Sequence, residues 1–321
     1  MTGRRRVAIG YPRATRRAFI VLAMLLCIGL PPVLVLLSAA SSYSENRTTG
    51  TIRTSAGQTR EYVLHVPRSY DGSRPVPLVI SIHGAMNWPS FQMALSQWNA
   101  LSDQQGFIVA YPAGSGGGPK VWHMSGLDTK RRLAPDVVFI SELIDTLASR
   151  YNIDRARVYA NGLSNGGGMT YALSCTLADK IAAFGPLAAA VTEQIEWCDT
   201  PAPVIAFHGT RDPFTPYEGA KVWLAPMPFP NIPAWIARWA RRNRCAPEPI
   251  DSVLNGDVTR REYSGCADAA DVQLYTINGA GHQWFGGTKG PEWLLGPFSR
   301  SIDASRVMWE FFQKHPLFRS A

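Results

Sequence analysis

The sequence has few cysteines, little net charge outside its first 40 residues, and no internal repeat. No two of its five cysteines stand at C-x-x-C spacing and none is next to a histidine, which argues against a zinc site. Residues 1–40 contain six of the 32 basic residues and no acid, so the rest of the chain has 26 basic and 24 acidic residues, a net charge of +2. A nearly neutral body gives little support to nucleic-acid binding. We therefore expect no metal, no cofactor and no nucleic-acid partner.

The composition is that of an ordinary globular protein. Hydrophobic residues make up 46% and charged residues 17% of the 321 positions, which excludes a disordered chain and a collagen-like repeat. The interior contains no low-complexity linker, and single α/β domains of this length are common. We expect residues 41–321 to form one domain and the protein to be a monomer.

The first 40 residues have the three-part pattern of an export signal. A basic stretch that ends at Arg17 is followed by an apolar run over 18–37 and by the small residues of 38–40. Residues 15–20 (TRRAFI) resemble a twin-arginine signal, and an ordinary Sec signal with arginines is the alternative. The apolar run is long enough for an uncleaved membrane anchor, but Pro31-Pro32 would break such a helix. We expect a secreted or cell-envelope protein, bound to the membrane only if residues 1–40 are retained.

Four cysteines lie in the part of the chain that would be exported. An even number of cysteines in an oxidising compartment indicates two disulfides, and four cysteines allow three connectivities. The two shortest loops pair Cys175 with Cys198 and Cys245 with Cys266. This pairing is the one that we predict.

Apolar runs of strand length alternate with segments of helical spacing. The expected strands are 60–67, 76–82, 107–111, 158–160, 203–207 and 272–277. The expected helices are 91–105, 136–151, 169–180 and 301–314. This alternation predicts an α/β fold whose mostly parallel central sheet has helices on both faces.

A G-x-S-x-G motif, Gly162–Gly166, lies between an expected strand and an expected helix. This is the setting of a nucleophile elbow, a sharp turn whose strained backbone leaves no room for side chains beside the serine. The alternative is a glycine-rich turn that only connects a strand to a helix. The context favours Ser164 as a nucleophile.

A serine hydroxyl needs a base to take its proton and an acid to orient that base. Asp212 lies in the loop after the strand 203–207, and His282 lies in the glycine-containing loop after the strand 272–277. Loops at the carboxyl ends of parallel strands share one edge of the sheet, so we predict the triad Ser164, Asp212 and His282. Other histidines are better explained as structural, with His123 a second-rank candidate for the base; they are His65, His123, His208 and His315.

The attack of a serine on a carbonyl also requires donors for the developing oxyanion. One expected donor is the backbone N–H of Asn165, which follows the nucleophile. The second is expected from the loop after the strand 76–82, where we choose Ala85.

The chain resembles the polyhydroxybutyrate depolymerase and feruloyl esterase group of α/β-hydrolases, a carbohydrate-esterase-like branch. The matching segments are 78–87 (LVISIHGAMN), 151–167 (YNIDRARVYANGLSNGG), 208–219 (HGTRDPFTPYEG), 239–245 and 281–286 (GHQWFG). The resemblance implies a single α/β-hydrolase catalytic domain and a serine esterase that acts through an acyl-enzyme. The triad of that group maps onto Ser164, Asp212 and His282.

Three tryptophans in loops at the expected active edge, Trp88, Trp122 and Trp284, could stack on a phenolic ring or a sugar, or could simply pack the rim. The chain ends 39 residues after His282, with no expected domain for adsorption to a solid polymer. We therefore expect a small-molecule or polysaccharide-linked substrate, a soluble feruloyl, acetyl or short hydroxyalkanoate ester. The alternatives are a polyhydroxybutyrate depolymerase, acyl transfer or peptide cleavage by the same triad, and a non-catalytic binding protein of the cell envelope.

Overall fold

A computed structural model describes residues 49–116, 120–123, 134–191, 198–222 and 228–317. The described residues all belong to one compact unit, 46–321. The predicted export signal or anchor, residues 1–40, lies outside them. No helix of the described ranges is long and apolar enough to cross a membrane.

Within the residues that the structure describes, ten strands form a single sheet. In chain order they are β1 (Thr49–Arg53), β2 (Thr59–His65), β3 (Val76–Ile82), β4 (Ile108–Pro112), β5 (Ile153–Leu163), β6 (Ala183–Leu187), β7 (Val204–Gly209), β8 (Ile250–Val253), β9 (Val258–Tyr263) and β10 (Val272–Ile277). The spatial order is β1-β2-β4-β3-β5-β6-β7-β10-β9-β8. The six central strands are parallel; in spatial order they are β4-β3-β5-β6-β7-β10. An antiparallel pair of strands completes each end of the sheet.

The central strands are covered on both faces. Every residue of β3, β4, β6 and β7 is buried, as expected for parallel strands between two layers of helices. Successive residues point to opposite faces, so that Leu78 and Ile80 of β3 belong to one hydrophobic cluster and Val79 to another. The edge strand β8, by contrast, is largely exposed.

Helices supply both layers. They are α1 (Pro89–Ser96), α2 (Trp98–Gln105), α3 (Pro135–Arg150), α4 (Asn165–Thr176), α5 (Ile232–Arg242), α6 (Glu292–Leu295) and α7 (Ala304–Phe312), with a short 3₁₀ turn at Ala267–Ala269. Buried residues of α3, α4 and α5 join the cluster of Leu78, whereas those of α1, α2 and α7 join the cluster of Val79. The predicted α/β architecture with helices on both faces is confirmed.

Several features differ from the sequence prediction, and the strands β8 and β9 were not expected. The expected helix 91–105 is two helices, because Gln97 between α1 and α2 adopts a left-handed φ of 57°. The polar stretch before residue 57, for which we expected no strand, contains β1. The central strand β6 contains Gly185 and Pro186, residue types that argue against a strand. A Cβ atom on Gly185 would lie 2.8 Å from the Met308 sulfur of α7, so glycine allows close packing of this helix on the strand.

Both predicted disulfides are present. Cys175 of α4 is bonded to Cys198, and Cys245, three residues after α5, is bonded to Cys266. The predicted pairing of the two shortest loops is therefore confirmed.

Candidate active site

Ser164 occupies a sharp turn between β5, which ends at Leu163, and α4, which begins at Asn165. Its backbone has φ 57° and ψ −120°, a strained conformation that costs on the order of 1–3 kcal/mol and persists only where the surroundings enforce it. Close backbone contacts leave no room for a side chain at the two glycines of the motif. A Cβ atom on Gly162 would lie 2.4 Å from the carbonyl oxygen of Gly166, and one on Gly166 would lie 2.4 Å from the carbonyl oxygen of Ile82. The expected strand, tight turn and helix are confirmed.

Asp212 and His282 are in direct contact. They follow β7 and β10, which are neighbouring parallel strands, so both side chains lie at the carboxyl edge of the sheet. Nδ1 of His282 is 2.7 Å from Oδ2 of Asp212, and both residues are buried. The other carboxylate oxygen, Oδ1, accepts hydrogen bonds of 2.8 Å from the backbone N–H groups of Phe214 and Thr215. The carboxylate is therefore held in one orientation with its free oxygen towards the imidazole.

The surroundings keep Asp212 ionised. Burial by itself would raise the pKa of this carboxyl, but the neighbouring His282 and the hydrogen bonds that the carboxylate accepts from His282 and Thr215 outweigh it and lower the pKa. His208 is fully enclosed, and burial lowers its pKa, so its ring is neutral. Its Nε2 is 2.8 Å from the carbonyl oxygen of Thr215 and 3.5 Å from Oδ2 of Asp212. His208 thus supports the aspartate loop.

Ser164 lies at the same edge as this pair. Its N–H donates to the carbonyl oxygen of Leu187 at the end of β6, and the N–H of Ala188 donates to the carbonyl oxygen of Phe207 in β7. These bonds connect the elbow through β6 to the strand that carries Asp212. Within the part of the chain that the structure describes, the Ser164 hydroxyl makes no hydrogen bond with His282.

One expected oxyanion donor lies at the start of α4, directly after the elbow, and the other lies in the turn after β3. Asn165 is the first residue of α4, so its N–H is among the four that have no acceptor within the helix. Ala85 lies in an exposed turn after β3, in which Met86 has a φ of 57°. A Cβ atom on Gly84 would lie 3.5 Å from Cβ of Ser164, which places this turn against the serine.

His83 organises the turn after β3, a role that we did not expect. Its Nε2 accepts a hydrogen bond of 2.9 Å from the backbone N–H of Gly114, so the proton of the neutral ring is on Nδ1, which donates to the carbonyl oxygen of Gly84 at 2.7 Å. Burial lowers the pKa of His83 to about 4, which keeps the ring neutral at physiological pH. Nothing in the spacing of a His-Gly pair after a strand indicates these contacts.

Two of the three expected tryptophans do not offer a surface for stacking. Trp284 is fully buried and donates from Nε1 to the Ser305 hydroxyl at 3.0 Å, so its assignment as a substrate-binding residue is corrected. Trp122 is only 3% exposed and packs against the His83 ring at 5.2 Å, which corrects its assignment too. Trp88 is half-buried directly before α1. An aromatic side chain that we did not consider, Trp293 of α6, is 84% exposed.

The other histidines have partners away from Ser164. Nε2 of His65 is 3.0 Å from Asp103, and His315 contacts the carbonyl oxygen of Phe311 and, at 3.4 Å, Asp271. Nδ1 of the exposed His123 is 3.7 Å from Asp136. The described ranges contain no group of three or more His, Cys, Asp or Glu side chains that could hold a metal ion.

Comparison with known proteins shows that the chain is similar to esterases. The family described as Esterase PHB depolymerase matches residues 60–237, more than half of the chain. The chain is 36% identical over 148 residues to the bifunctional acetylxylan esterase/xylanase XynS20E of Neocallimastix patriciarum, a match that covers 46% of this chain and 21% of that protein. It is 31% identical over 232 residues to feruloyl esterase B of Piromyces equi, with 70% of this chain and 42% of that protein covered. The chain therefore spans less than half the length of these two relatives.

A solved structure has the same fold. The acetyl xylan esterase from Aspergillus awamori superimposes with a TM-score of 0.56 at 17% sequence identity, and the match covers 83% of this chain and 98% of that one. At this identity the likeness concerns the fold alone.

Proposed function

The chain belongs to the Esterase PHB depolymerase family, and from this premise we propose that it hydrolyses carboxylic esters through an acyl-enzyme. Ser164 is the nucleophile, His282 the base and Asp212 the acid that orients the base. The observation that carries the proposal is the 2.7 Å contact between His282 and Asp212 at the sheet edge that also presents Ser164 in a strained elbow.

In the first half of the reaction, Nε2 of His282 takes the proton of the Ser164 hydroxyl while the oxygen attacks the ester carbonyl carbon. The ionised Asp212 holds Nδ1–H in place and stabilises the imidazolium that forms. Collapse of the tetrahedral intermediate expels the alcohol, which receives the proton from His282. Water then attacks the acyl-enzyme, with His282 again taking the proton, and the carboxylic acid leaves as Ser164 is restored.

The tetrahedral intermediate carries its negative charge on the former carbonyl oxygen. The N–H groups of Asn165 and Ala85 are the proposed donors to this oxygen. Each such donor is worth about 3–4 kcal/mol in the transition state.

The proposed substrates are soluble esters with an aromatic or sugar component, of the feruloyl or acetyl type. The relatives named above are a feruloyl esterase and an acetylxylan esterase, which supports this class. Trp293 offers an exposed indole, and the carbonyl of Leu295 in the same short helix accepts the N–H of His282 at 2.6 Å. The exposed indole of Trp293 is two residues from the carbonyl that His282 contacts, and an indole face suits a flat phenolic or sugar ring.

We also propose that the protein is exported, by the twin-arginine or the Sec route. Support comes from the signal-like composition of residues 1–40 and from the two disulfides, which persist in oxidising compartments.

The esterase proposal is tested with the purified protein and p-nitrophenyl acetate. Ser164→Ala should lower kcat by on the order of 10³-fold or more, because the nucleophile is removed. Ser149→Ala is the matched control, since Ser149 is an exposed residue of α3, and it should leave kcat unchanged. Retention of most activity in the S164A protein would contradict the proposal.

The substrate class is tested by comparing methyl ferulate, an acetylated xylo-oligosaccharide and a polyhydroxybutyrate film. We expect turnover of at least one of the two soluble esters and little clearing of the film. Rapid clearing with negligible turnover of both soluble esters would instead indicate a polyester depolymerase.

A further inference from the structure

The side chain of Asn165 forms two hydrogen bonds with the main chain of Trp122. Its Oδ1 accepts a hydrogen bond of 2.7 Å from the N–H of Trp122, and its Nδ2 donates to the carbonyl oxygen of the same residue at 3.1 Å. This two-point pairing fixes both the position and the rotation of the carboxamide. Asn165 is therefore held at its side chain, while its own N–H is the proposed oxyanion donor.

Trp122 in turn contacts the turn that carries the other proposed donor. Its Nε1 donates at 3.0 Å to the carbonyl oxygen of His83, two residues before Ala85. We call residues Lys120–His123 the bridging segment. This segment makes a second contact just after the turn, where Lys120 and Asn87 exchange backbone hydrogen bonds of 3.1 and 3.4 Å. The bridging segment thus contacts both the start of α4 and the turn after β3, the two segments that carry the proposed donors.

A buried ion pair anchors the bridging segment to the sheet. Oδ2 of Asp136, at the start of α3, accepts the N–H of His123 at 2.7 Å. Oδ1 of Asp136 accepts the hydroxyl of Ser115 at 2.9 Å and the guanidinium of Arg60 at 2.6 Å. Arg60 and Asp136 are both buried, so breaking this pair would leave an uncompensated charge.

We propose that the Asn165 side chain is a positioning residue of the oxyanion hole: through the bridging segment it fixes the spacing between the N–H groups of Asn165 and Ala85. This inference rests on the proposed esterase function. An oxyanion is stabilised only when both donors lie within about 2.7–3.1 Å of one point. Here the two donors belong to separate segments of the chain, and the carboxamide joins them through Trp122.

The first experiment compares Asn165→Ala with a matched control, Asn243→Ala. Asn243 makes the same two-point pairing, with the N–H and carbonyl of Ala202 at 3.2 and 2.7 Å, but at the end of α5. We expect N165A to lower kcat roughly 10- to 100-fold with KM changed less than about threefold, since donor geometry matters in the transition state. Asn243→Ala should lower the melting temperature and leave kcat within about twofold of the wild type.

A transition-state analogue distinguishes a loss of oxyanion positioning from a general weakening of ligand binding at the site. A trifluoromethyl ketone forms a hemiketal oxyanion with the serine, so its inhibition constant should rise in the N165A protein by about the same factor as kcat/KM falls. The inhibition constant of a non-reactive substrate analogue should stay constant. Equal weakening of both inhibitors would overturn the proposal.

Asn165→Asp adds a test that does not depend on the folding of the alanine variant. A protonated carboxyl reproduces both bonds to Trp122, whereas the ionised form cannot donate and repels the Trp122 carbonyl oxygen. We expect the ratio of kcat in N165D to that of the wild type to rise as the pH falls from about 8 to about 5. A ratio that does not change with pH, or an N165A protein with wild-type kcat, would refute the positioning role while leaving the esterase proposal intact. An inactive wild-type protein would instead refute the esterase proposal itself.

Discussion

Replacing Asp212 with asparagine changes the chemistry of the proposed triad and leaves its shape. Oδ1 of Asp212 accepts two backbone N–H groups at 2.8 Å each, from Phe214 and Thr215. The new carboxamide must direct its oxygen towards these donors, because its NH₂ group cannot accept from them. The NH₂ group then faces Nδ1 of His282, 2.7 Å away in the wild type. The imidazole is forced to accept at Nδ1 and to carry its proton on Nε2, where it cannot receive the proton of Ser164.

The expected loss in kcat is on the order of 10⁴-fold. At 1.36 kcal/mol for each factor of ten, this is about 5 kcal/mol of transition-state stabilisation. The assay is steady-state hydrolysis of p-nitrophenyl acetate, together with circular dichroism and thermal unfolding to establish that the fold is retained.

A second aspartate–histidine pair provides the control. Asp271 is 3.4 Å from Nε2 of His315, next to the last helix, and takes no part in the proposed mechanism. Asp271→Asn should retain kcat within about twofold, as expected for a surface substitution. If D271N is as damaging as D212N, or if D212N keeps more than a tenth of the wild-type kcat, the assignment of the acid is refuted.

Three further predictions concern stability. Replacing Cys175 and Cys198 together with serine should lower the free energy of unfolding by about 3 kcal/mol, since the disulfide closes a loop of 23 residues, and urea titration would refute this with a difference near zero. The pKa of His83 is about 4 in the fold against 6.5 in the unfolded chain, so the unfolded state binds the proton more readily. The free energy of unfolding should therefore fall, by up to about 3 kcal/mol, as the pH falls from about 6.5 to about 4, and His83→Gln should lose this part of the pH dependence. Gly166→Ala should lower the free energy of unfolding by roughly 1–3 kcal/mol or more, because the added methyl group would lie within 2.5 Å of two carbonyl oxygens. Gly256 has open space around it, so Gly256→Ala should leave the melting temperature unchanged in thermal unfolding.

The fold could be predicted from the sequence where burial left a pattern. The strands β3 and β10 have the predicted bounds because buried parallel strands are continuous apolar runs. The edge strand β8 and its neighbour β9 are polar and partly exposed, and neither gives such a signal. Strand β6 was missed because glycine and proline argue against a strand, and the packing of Gly185 against α7 leaves no local pattern in the sequence.

For the site, the sequence indicated the residues that follow strands and missed the contacts between loops. A strand followed by a loop places Asp212 and His282 at one edge, and the fold brings them together. The pairing of Asn165 with Trp122 joins residues 43 positions apart, and no periodicity records it. Trp284 was misassigned because a loop position does not determine exposure, and its indole packs inward against Ser305.

The most direct test of the account is labelling of the active protein with a fluorophosphonate, followed by peptide mapping. The account predicts one adduct per chain, on Ser164, which disappears in the S164A protein and forms much more slowly in a His282→Ala protein. Labelling at another residue, or full esterase activity in a protein whose Ser164 remains unlabelled, would contradict the assignment of the nucleophile.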